Sequence, residues 1–397
     1  MYDFDIGIVG GAGHVGLPLG LVFASKGQRV ILHDVNKQAM KLIQQGQMPF
    51  IEHEAEPVLK EVINKTLFLS EDTKSLSSAR FIIVAIGTPI DEYLNPKLRI
   101  LLDLFAELHP YLSSLQTIII RSTVFPRTCQ QVLRLLEKMG GSPWHIAYCP
   151  ERIVQGHAVR ELQELPQLVA GLSEKAVGDA KELFSIITPR IIEVTVGEAE
   201  LAKLFANAWR YIQFAAANQF YMIAHNFGVD FDCVRRAMME GYERAAGLAA
   251  AGFAAGPCLL KDTMQLLALG STNFPLGQAA MTINEGLPGF IVENLRQKYD
   301  LTCTRVGILG MAFKADIDDT RDSLSYKLGK ILRFYGAHVL YSDEFAKDPT
   351  FVSKEELVAS SDVVIVGVPH SAYKQLHIPK EIEVVDLWNI IPSEAKS

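Results

Sequence analysis

The chain has 397 residues and a mass of 43.9 kDa, more than one hydrophobic core usually holds, so two or three domains are expected. Apolar residues make up 49% and charged residues 21%, and the net charge of −7 excludes recognition of nucleic acid through a global basic field. No apolar run is long enough for a membrane-spanning helix and no secretory leader is evident. The five cysteines (Cys129, Cys149, Cys233, Cys258, Cys303) are scattered without a CxxC, which argues against a zinc site or a disulfide framework. A cytoplasmic protein with free thiols, no metal, and no nucleic-acid or membrane partner is expected.

In chain order, FDIGIV at 4–9 reads as a buried strand. Gly10-Gly11-Ala12-Gly13-His14-Val15-Gly16 follows, then a helical pattern through Leu17, Leu21, Val22 and Ala24, and a second strand ending in Asp34. In such a strand, GxGxxG, helix, strand and acid series, Gly11 is expected to permit the tight turn. Gly13 admits backbone close to a pyrophosphate, and Gly16 allows close helix–strand packing. The helix start offers free N–H groups to phosphate. Asp34 would accept from the adenosine ribose hydroxyls and repel a 2′-phosphate, which favours NAD over NADP. Further strands are predicted at 80–89, 116–123 and 144–151, several ending in polar residues where ligands of a parallel sheet gather.

From Glu198 to about Phe227 apolar residues recur at helical spacing, among them Leu201, Leu204, Phe205, Ala208, Tyr211, Ile212, Ala215 and Phe220. Thirty residues make a helix of about 45 Å, expected to connect two α/β domains and to form a homodimer core. Later, Gly256-Pro257-Cys258 precedes a helical stretch carrying Lys261 and Asp262. A cysteine at a helix start beside a lysine is a candidate thiolate nucleophile; free cysteines are also ordinary small core residues, and local grounds leave both readings open. For the other four cysteines, core packing is expected.

The C-terminal hundred residues repeat the α/β grammar. RVGILG at 305–310 is strand then glycine, a helix is expected over 323–335, and strands over 338–344, 360–370 and 384–389. Gly310 stands alone where the first half has a full GxGxxG, so this unit is expected to bind a nucleotide other than a dinucleotide or to serve purely as a supporting α/β domain. The predicted fold is therefore α/β: two Rossmann-like doubly wound parallel-sheet domains joined by a central helical region. The boundaries are 1–196, 197–300 and 301–397.

Seven motifs stand in order: the glycine loop at 11–16; Gly87-Thr88-Pro89; Arg121-Ser122-Thr123-Val124; Pro150-Glu151-Arg152; Glu200-Leu201-Ala202-Lys203-Leu204 with Ala206-Asn207-Ala208; Gly256-x-Cys258-x-x-Lys261-Asp262; and Gly310-x-Ala312-Phe313-Lys314 with Asp319-x-Arg321-x-Ser323. Together they resemble the UDP-sugar dehydrogenase family, which includes UDP-glucose and UDP-N-acetylmannosamine dehydrogenases. The resemblance implies oxidation of a sugar C6 alcohol to a carboxylate with two NAD, serving surface polysaccharide synthesis. A water with Asp262 and Lys203 would assist deprotonation of the 6-hydroxyl, and Cys258 would form a thiohemiacetal and then a thioester. Glu151 and Thr123 would assist hydrolysis. Lys203 would stabilise the oxyanion, helped by Asn207 one turn on. The resemblance assigns Gly11, Gly13, Val15, Gly16, Asp34, Thr88, Thr123 and Arg321 to the cofactor. It assigns Glu151, Arg152, Lys203, Asn207, Arg244, Gly256 and Lys314 to the substrate.

The chain departs from the family pattern in the cysteine loop, where Ala254, Ala255 and Pro257 interrupt the usual glycines. The flanks of Arg244 depart too. Arg152 after Glu151, in place of the PEFLxEG of UDP-glucose enzymes, resembles the branch acting on UDP-N-acetylhexosamines. UDP-glucose is the alternative. A two-electron β-hydroxyacid dehydrogenase would need no nucleophilic Cys258. A silent sugar-nucleotide binding protein would have lost Cys258, Lys203 or Asp262.

Overall fold

The first apolar run becomes strand β1 (Phe4–Val9) of a computed structural model that describes residues 2–91, 96–269 and 274–391. It is followed by β2 (Val30–His33), β3 (Leu67–Ser70), β4 (Ala79–Val84), β5 (Thr117–Ile120), β6 (His145–Tyr148), β7 (Gln167–Gly171) and β8 (Ile191–Glu193). These eight strands form one sheet in the order β3-β2-β1-β4-β5-β6-β7-β8. Its neighbours run parallel except β6 and β7. The 3-2-1-4-5-6 portion is the dinucleotide-binding order. Three strands, β3, β7 and β8, were not anticipated. They have four, five and three residues, too short for alternation to stand out.

The helix Gly16–Ser25 is buried from Gly16 to Ala24. It packs on the sheet and against the helices Ala55–Val62 and Ala158–Glu164, which explains why it is apolar all round rather than striped. Each fully buried leucine there (Leu17, Leu19, Leu21) contributes about 1.5–3 kcal/mol relative to an exposed one.

Packing divides the chain into units 1–205 and 206–397, and the division falls inside the predicted long helix, observed as Val196–Asn226. In the second unit Tyr211 and Ala215 of that helix pack with Ala254 and Ala280. Phe205 and Phe220, expected to share one apolar face with them, are instead exposed, as are Trp209 and Ile223. A second long helix, Pro275–Lys298, escaped the sequence reading. It holds a buried proline, Pro288, which cannot donate to the helix ladder. Its Asn284 Nδ2 donates to the Tyr211 carbonyl, and its Oδ1 accepts from Asn218 Nδ2, at 2.9 Å each.

The second unit ends in a four-stranded parallel sheet built from β9 (Arg305–Leu309), β10 (His338–Ser342), β11 (Val363–Val366) and β12 (Glu383–Asp386), in the order β10-β9-β11-β12. The predicted helix is Leu324–Phe334, capped by Ser323, whose side chain accepts from the Ser325 N–H. The two sheets share a device at their first turn. Gly10 has φ +79°, and a Cβ there would lie 2.7 Å from the Ala85 carbonyl oxygen; Gly310 has φ +91°, and a Cβ would lie 2.6 Å from Val368 Cβ. Each glycine lets the loop after the first strand press on the loop of a neighbouring strand. The positive-φ turn is thus at Gly10, one residue before the glycine to which the sequence reading gave it.

The acid after the second strand differs between the sheets. Asp34 Oδ2 accepts from the Ala12 N–H at 3.0 Å, and its side chain stays half-buried. Asp343 is fully enclosed: Oδ2 accepts from the Met311 and Ala312 N–H groups and faces His370 Nε2 at 3.1 Å, while Oδ1 accepts from Phe345 and Ala346. The Asp316 N–H donates to His370 Nδ1, leaving Nε2–H to donate to Asp343. With its oxygens occupied, Asp343 has none to offer a ribose.

Burial would push the Asp343 carboxyl up, but His370 and the backbone N–H groups outweigh it and hold the pKa at about 2. A depressed carboxyl stabilises the fold above its unfolded pKa, and the benefit is lost as pH falls through the folded value. Asp343→Asn should therefore lower stability by about 2 kcal/mol at neutral pH. Urea unfolding should show the gap to wild type closing between pH 4 and pH 2; a gap constant across that window would contradict the assignment.

Candidate active site

In the first unit the candidate residues lie at the carboxyl ends of β1, β2, β4, β5 and β6. Within the glycine loop, Gly11 and Gly16 have intramolecular reasons to lack a side chain. A Cβ on Gly11 would come within 2.7 Å of Leu32 Cβ, and one on Gly16 within 2.2 Å of the Gly10 carbonyl oxygen. A Cβ on Gly13 would meet only that same oxygen, at 3.4 Å. None of the described residues demands glycine at Gly13, so the demand lies on the open side. Gly13, His14 and Val15 are partly exposed there while Gly11, Ala12 and Gly16 are buried. With the helix start behind it, the loop fits a pyrophosphate. The Asp34 carboxylate is steadied at its other oxygen by the Asn36 N–H, 2.9 Å away. Thr88 Oγ1 donates to the Thr123 carbonyl at 2.6 Å, tying together the loops after β4 and β5. These residues suit NAD.

Glu151 follows β6 and is held on every side. Its Oε1 accepts from the Arg152 and Ile153 N–H groups at 2.7 and 2.9 Å, and its Oε2 accepts from Arg121 Nη2. Arg121 is 2% exposed and also donates to the Cys149 carbonyl and to Gln167 Oε1. Removing either partner of such a pair would strand a buried charge at a cost of about 3–5 kcal/mol. Arg152 turns its guanidinium to the Pro166 carbonyl. Burial pulls its pKa below the usual arginine value, and Glu151 opposes that pull. Lys203, half-buried on the long helix, closes the first unit's set.

In the second unit Cys258 is the exposed N-cap of the helix Leu259–Leu267. Asp262, one turn on, donates its N–H to the Cys258 carbonyl at 2.8 Å. Its side chain is buried; Oδ2 accepts from Asn207 Nδ2 at 2.5 Å, and Oδ1 lies 3.2 Å from Lys261 Nζ. Buried carboxylates persist when paired and hydrogen-bonded in this way. Arg321 grips Asp319 with Nε and Nη2. That hydrogen bond and the Asp319 charge raise its pKa against burial, with smaller contributions from Cys258 and Asp322. Lys314 follows Gly310 on the loop after β9 and is half-buried. Arg244 sits exposed on the short turn Glu243–Ala245.

The thiols divide differently from the expectation. Cys129 and Cys149 are buried, and burial raises both, Cys149 to about 12. Cys233 and Cys303 are exposed, because their short helical segments show them on the outer side. Three residues with roles here were not assigned any from the sequence: Arg121, which orients Glu151, and Asn218 and Asn284, which tie the cysteine loop to two helices. Asn218 Oδ1 accepts from the Gly252 N–H and its Nδ2 donates to the Gly252 carbonyl, at 2.8 and 3.0 Å. Arg121 lies within a motif, yet its burial has no local sign. An isolated asparagine has none either.

Comparison with known proteins gives a consistent result. Three models of the UDP-glucose/GDP-mannose dehydrogenase family match: its NAD binding domain at 5–188, its central domain at 197–286 and its UDP binding domain at 307–393. The UDP-N-acetyl-D-mannosamine dehydrogenase of Pyrococcus horikoshii is 29% identical over 381 residues, covering 92% of this chain and 90% of that protein. A solved structure of the P. horikoshii UDP-D-ManNAc dehydrogenase superimposes with a TM-score of 0.90 over 98% of this chain and 96% of that one, at 29% identity. The fold is shared equally by a UDP-glucose dehydrogenase of Pyrobaculum islandicum, with a TM-score of 0.91 at 24% identity over 99% of this chain and 96% of that one. Fold alone therefore does not choose the sugar. The match of all three domain models along most of its length shows that the chain belongs to the UDP-glucose/GDP-mannose dehydrogenase family, as an NAD-dependent UDP-sugar dehydrogenase.

Proposed function

We propose that the chain oxidises C6 of a UDP-N-acetylhexosamine, of the N-acetylmannosamine kind, to the uronic acid through a thioester on Cys258. The observation that carries this reading is the exposed Cys258 at a helix start, one turn before the buried Asp262, which accepts from Asn207. Arg152 after Glu151 and the N-acetylmannosamine specificity named for the P. horikoshii relative support the acetamido sugar. NAD, when bound, accepts a hydride from the substrate carbon in each of two rounds. Gly11, Gly13, Val15 and Gly16 would hold its pyrophosphate, Asp34 its ribose, and Thr88, Thr123 and Arg321 the remainder.

In the first round Asp262, through a water, takes the 6-hydroxyl proton, and Lys203 stabilises the alkoxide. The Cys258 thiolate then adds to the aldehyde carbon, forming the C–S bond, and the oxygen gains a proton to give a thiohemiacetal. Loss of a second hydride and that proton leaves the thioester. Water attacks its carbonyl, the C–S bond breaks, and the thiol and the carboxylate are released. Glu151, fixed by Arg121, and Thr123 orient that water. Arg152, Arg244, Gly256, Lys314 and Asn207 serve the sugar nucleotide, the cations offering charge to the diphosphate. The functional division is 1–196 for NAD, 197–300 for the central region and 301–397 for UDP. The product would enter surface polysaccharide synthesis in the cytoplasm.

A homodimer through the long helix belongs to the same proposal. Ala202, Ala206, Trp209, Ala216, Phe220, Ile223 and Phe227 are all exposed, and they fall on a 3.5-residue repeat, the spacing of a helix–helix seam. A second copy of the chain covers such a seam with like residues.

Four experiments test these readings. NADH release across a panel of UDP-hexoses and UDP-N-acetylhexosamines should give two NADH per acetamido sugar. Cys258→Ser should lower acid formation on the order of 10³-fold or more; normal uronate formation by that variant would end the covalent mechanism, and faster turnover of UDP-glucose would replace the acetamido assignment. Asp34→Ala should weaken NAD about 10- to 100-fold in titration calorimetry and leave UDP binding intact, whereas equal loss of both would contradict the ribose role. Trp209→Glu should sediment as a monomer where wild type sediments as a dimer; an unchanged dimer would place the seam elsewhere.

A further inference from the structure

We infer that Trp388 and Phe313 are positioning residues for Cys258, so that a nucleoside diphosphate at the carboxyl edge of the second sheet sets the order of the nucleophile's loop. The inference rests on the reading of Cys258 as nucleophile, but its geometry stands independently of that reading.

The loop leading to Cys258 is clamped at two glycines. At Gly252, φ +157°, a Cβ would lie 2.2–2.5 Å from three carbons of the Trp388 ring, so the indole rests against bare backbone. Trp388 is itself tied to the sheet: its Nε1 donates to the Gly367 carbonyl at 3.2 Å, and its N–H donates to Asp386 Oδ1 at 3.1 Å. Gly367 follows β11 directly and Asp386 ends β12. At Gly256, φ +96°, a Cβ would lie 2.5 Å from Phe313 Cδ2. The Gly256 N–H donates to the Asp322 carbonyl at 3.3 Å, and the Phe313 N–H donates to the Asp319 carbonyl at 2.9 Å. Phe313 belongs to the loop after β9, beside Lys314.

Both contacts therefore come from segments following β9, β11 and β12. In a parallel sheet those ends are where a nucleotide binds. Asn218 also grips Gly252 with two hydrogen bonds, and Gly252 is buried. Ring against glycine backbone leaves no slack, since close-packed groups transmit displacement rather than absorb it. Cys258 follows two residues after the Phe313 contact. Ordering the sheet-edge loops by a bound diphosphate thus orders the backbone that carries the thiol. The consequence is that the thiol is brought into register by the same ligand that delivers the aldehyde.

The test uses UDP alone as probe, on the full chain. Hydrogen exchange followed by mass spectrometry should show UDP slowing exchange at 310–316 and 387–389, and also at 251–258, by about fivefold or more. Trp388→Leu and Phe313→Leu should keep the first effect and lose the second. With sugar substrate and an aldehyde trap, these variants should release fewer than two NADH per sugar, as aldehyde escapes an ill-placed thiol. Protection of the edge loops without protection of 251–258 in the wild type would overturn the inference, and so would variants that retain full coupling and release two NADH per sugar at the wild-type rate. The wild-type comparison decides by itself if a variant fails to fold. Absence of protection at the edge loops would overturn the UDP assignment, and the coupling with it. Acid formation by Cys258→Ser would strike the nucleophile reading alone.

Discussion

The hydrogen bond from a glycine-loop N–H to the acid that ends the next strand is the constraint on which both ligand sites depend. It sets the loop after the first strand at a fixed height above the sheet. In the first unit one such bond, Ala12 to Asp34, leaves the carboxylate partly open toward a ligand. In the second, two loop N–H groups, two further N–H groups and His370 consume Asp343 entirely. One scaffold thus yields a carboxylate left partly open in one sheet and a carboxylate wholly taken up by its own loop in the other. The difference lies in how many donors the acid must satisfy.

The chemical groups obey the same economy of buried charge. Glu151 would be costly to bury alone, and Arg121 with two backbone N–H groups makes the burial tolerable while freezing its orientation. Asp262 is treated likewise by Asn207 and Lys261. In each case the partner that satisfies the charge also removes rotational freedom. Such preorganisation is what electrostatic catalysis requires, because no reorganisation remains to be done when the substrate's charge develops.

What was legible in the sequence was what short segments encode by themselves. The β1, glycine loop, helix and β2 series could be read because each part carries its own pattern within about 30 residues, and the helix expected over 323–335 is found at Leu324–Phe334. The turn glycine was misplaced by one, since Gly10 and Gly11 differ only in backbone angles that the sequence does not display. β3 and β8 were too short to alternate. Phe205 and Phe220 look like core residues in a periodicity count yet are exposed, because apolar residues at helical spacing can mark an outward stripe as readily as a buried one. Which of the two a residue belongs to depends on what lies opposite. Contacts such as Trp388 over Gly252 join residues 136 positions apart in the chain, and no local pattern announces them.

The distribution of thiols has a practical consequence. Burial keeps Cys129 and Cys149 protonated and out of reach, so oxidants meet only Cys233, Cys258 and Cys303. A sulfenic acid on Cys233 or Cys303 would leave the proposed chemistry untouched, whereas one on Cys258 would occupy the atom that must bond to carbon. Storage in air should therefore erode carboxylate formation faster than it erodes folding or NAD binding. A reductant that reverses the first oxidation step would restore the activity without refolding.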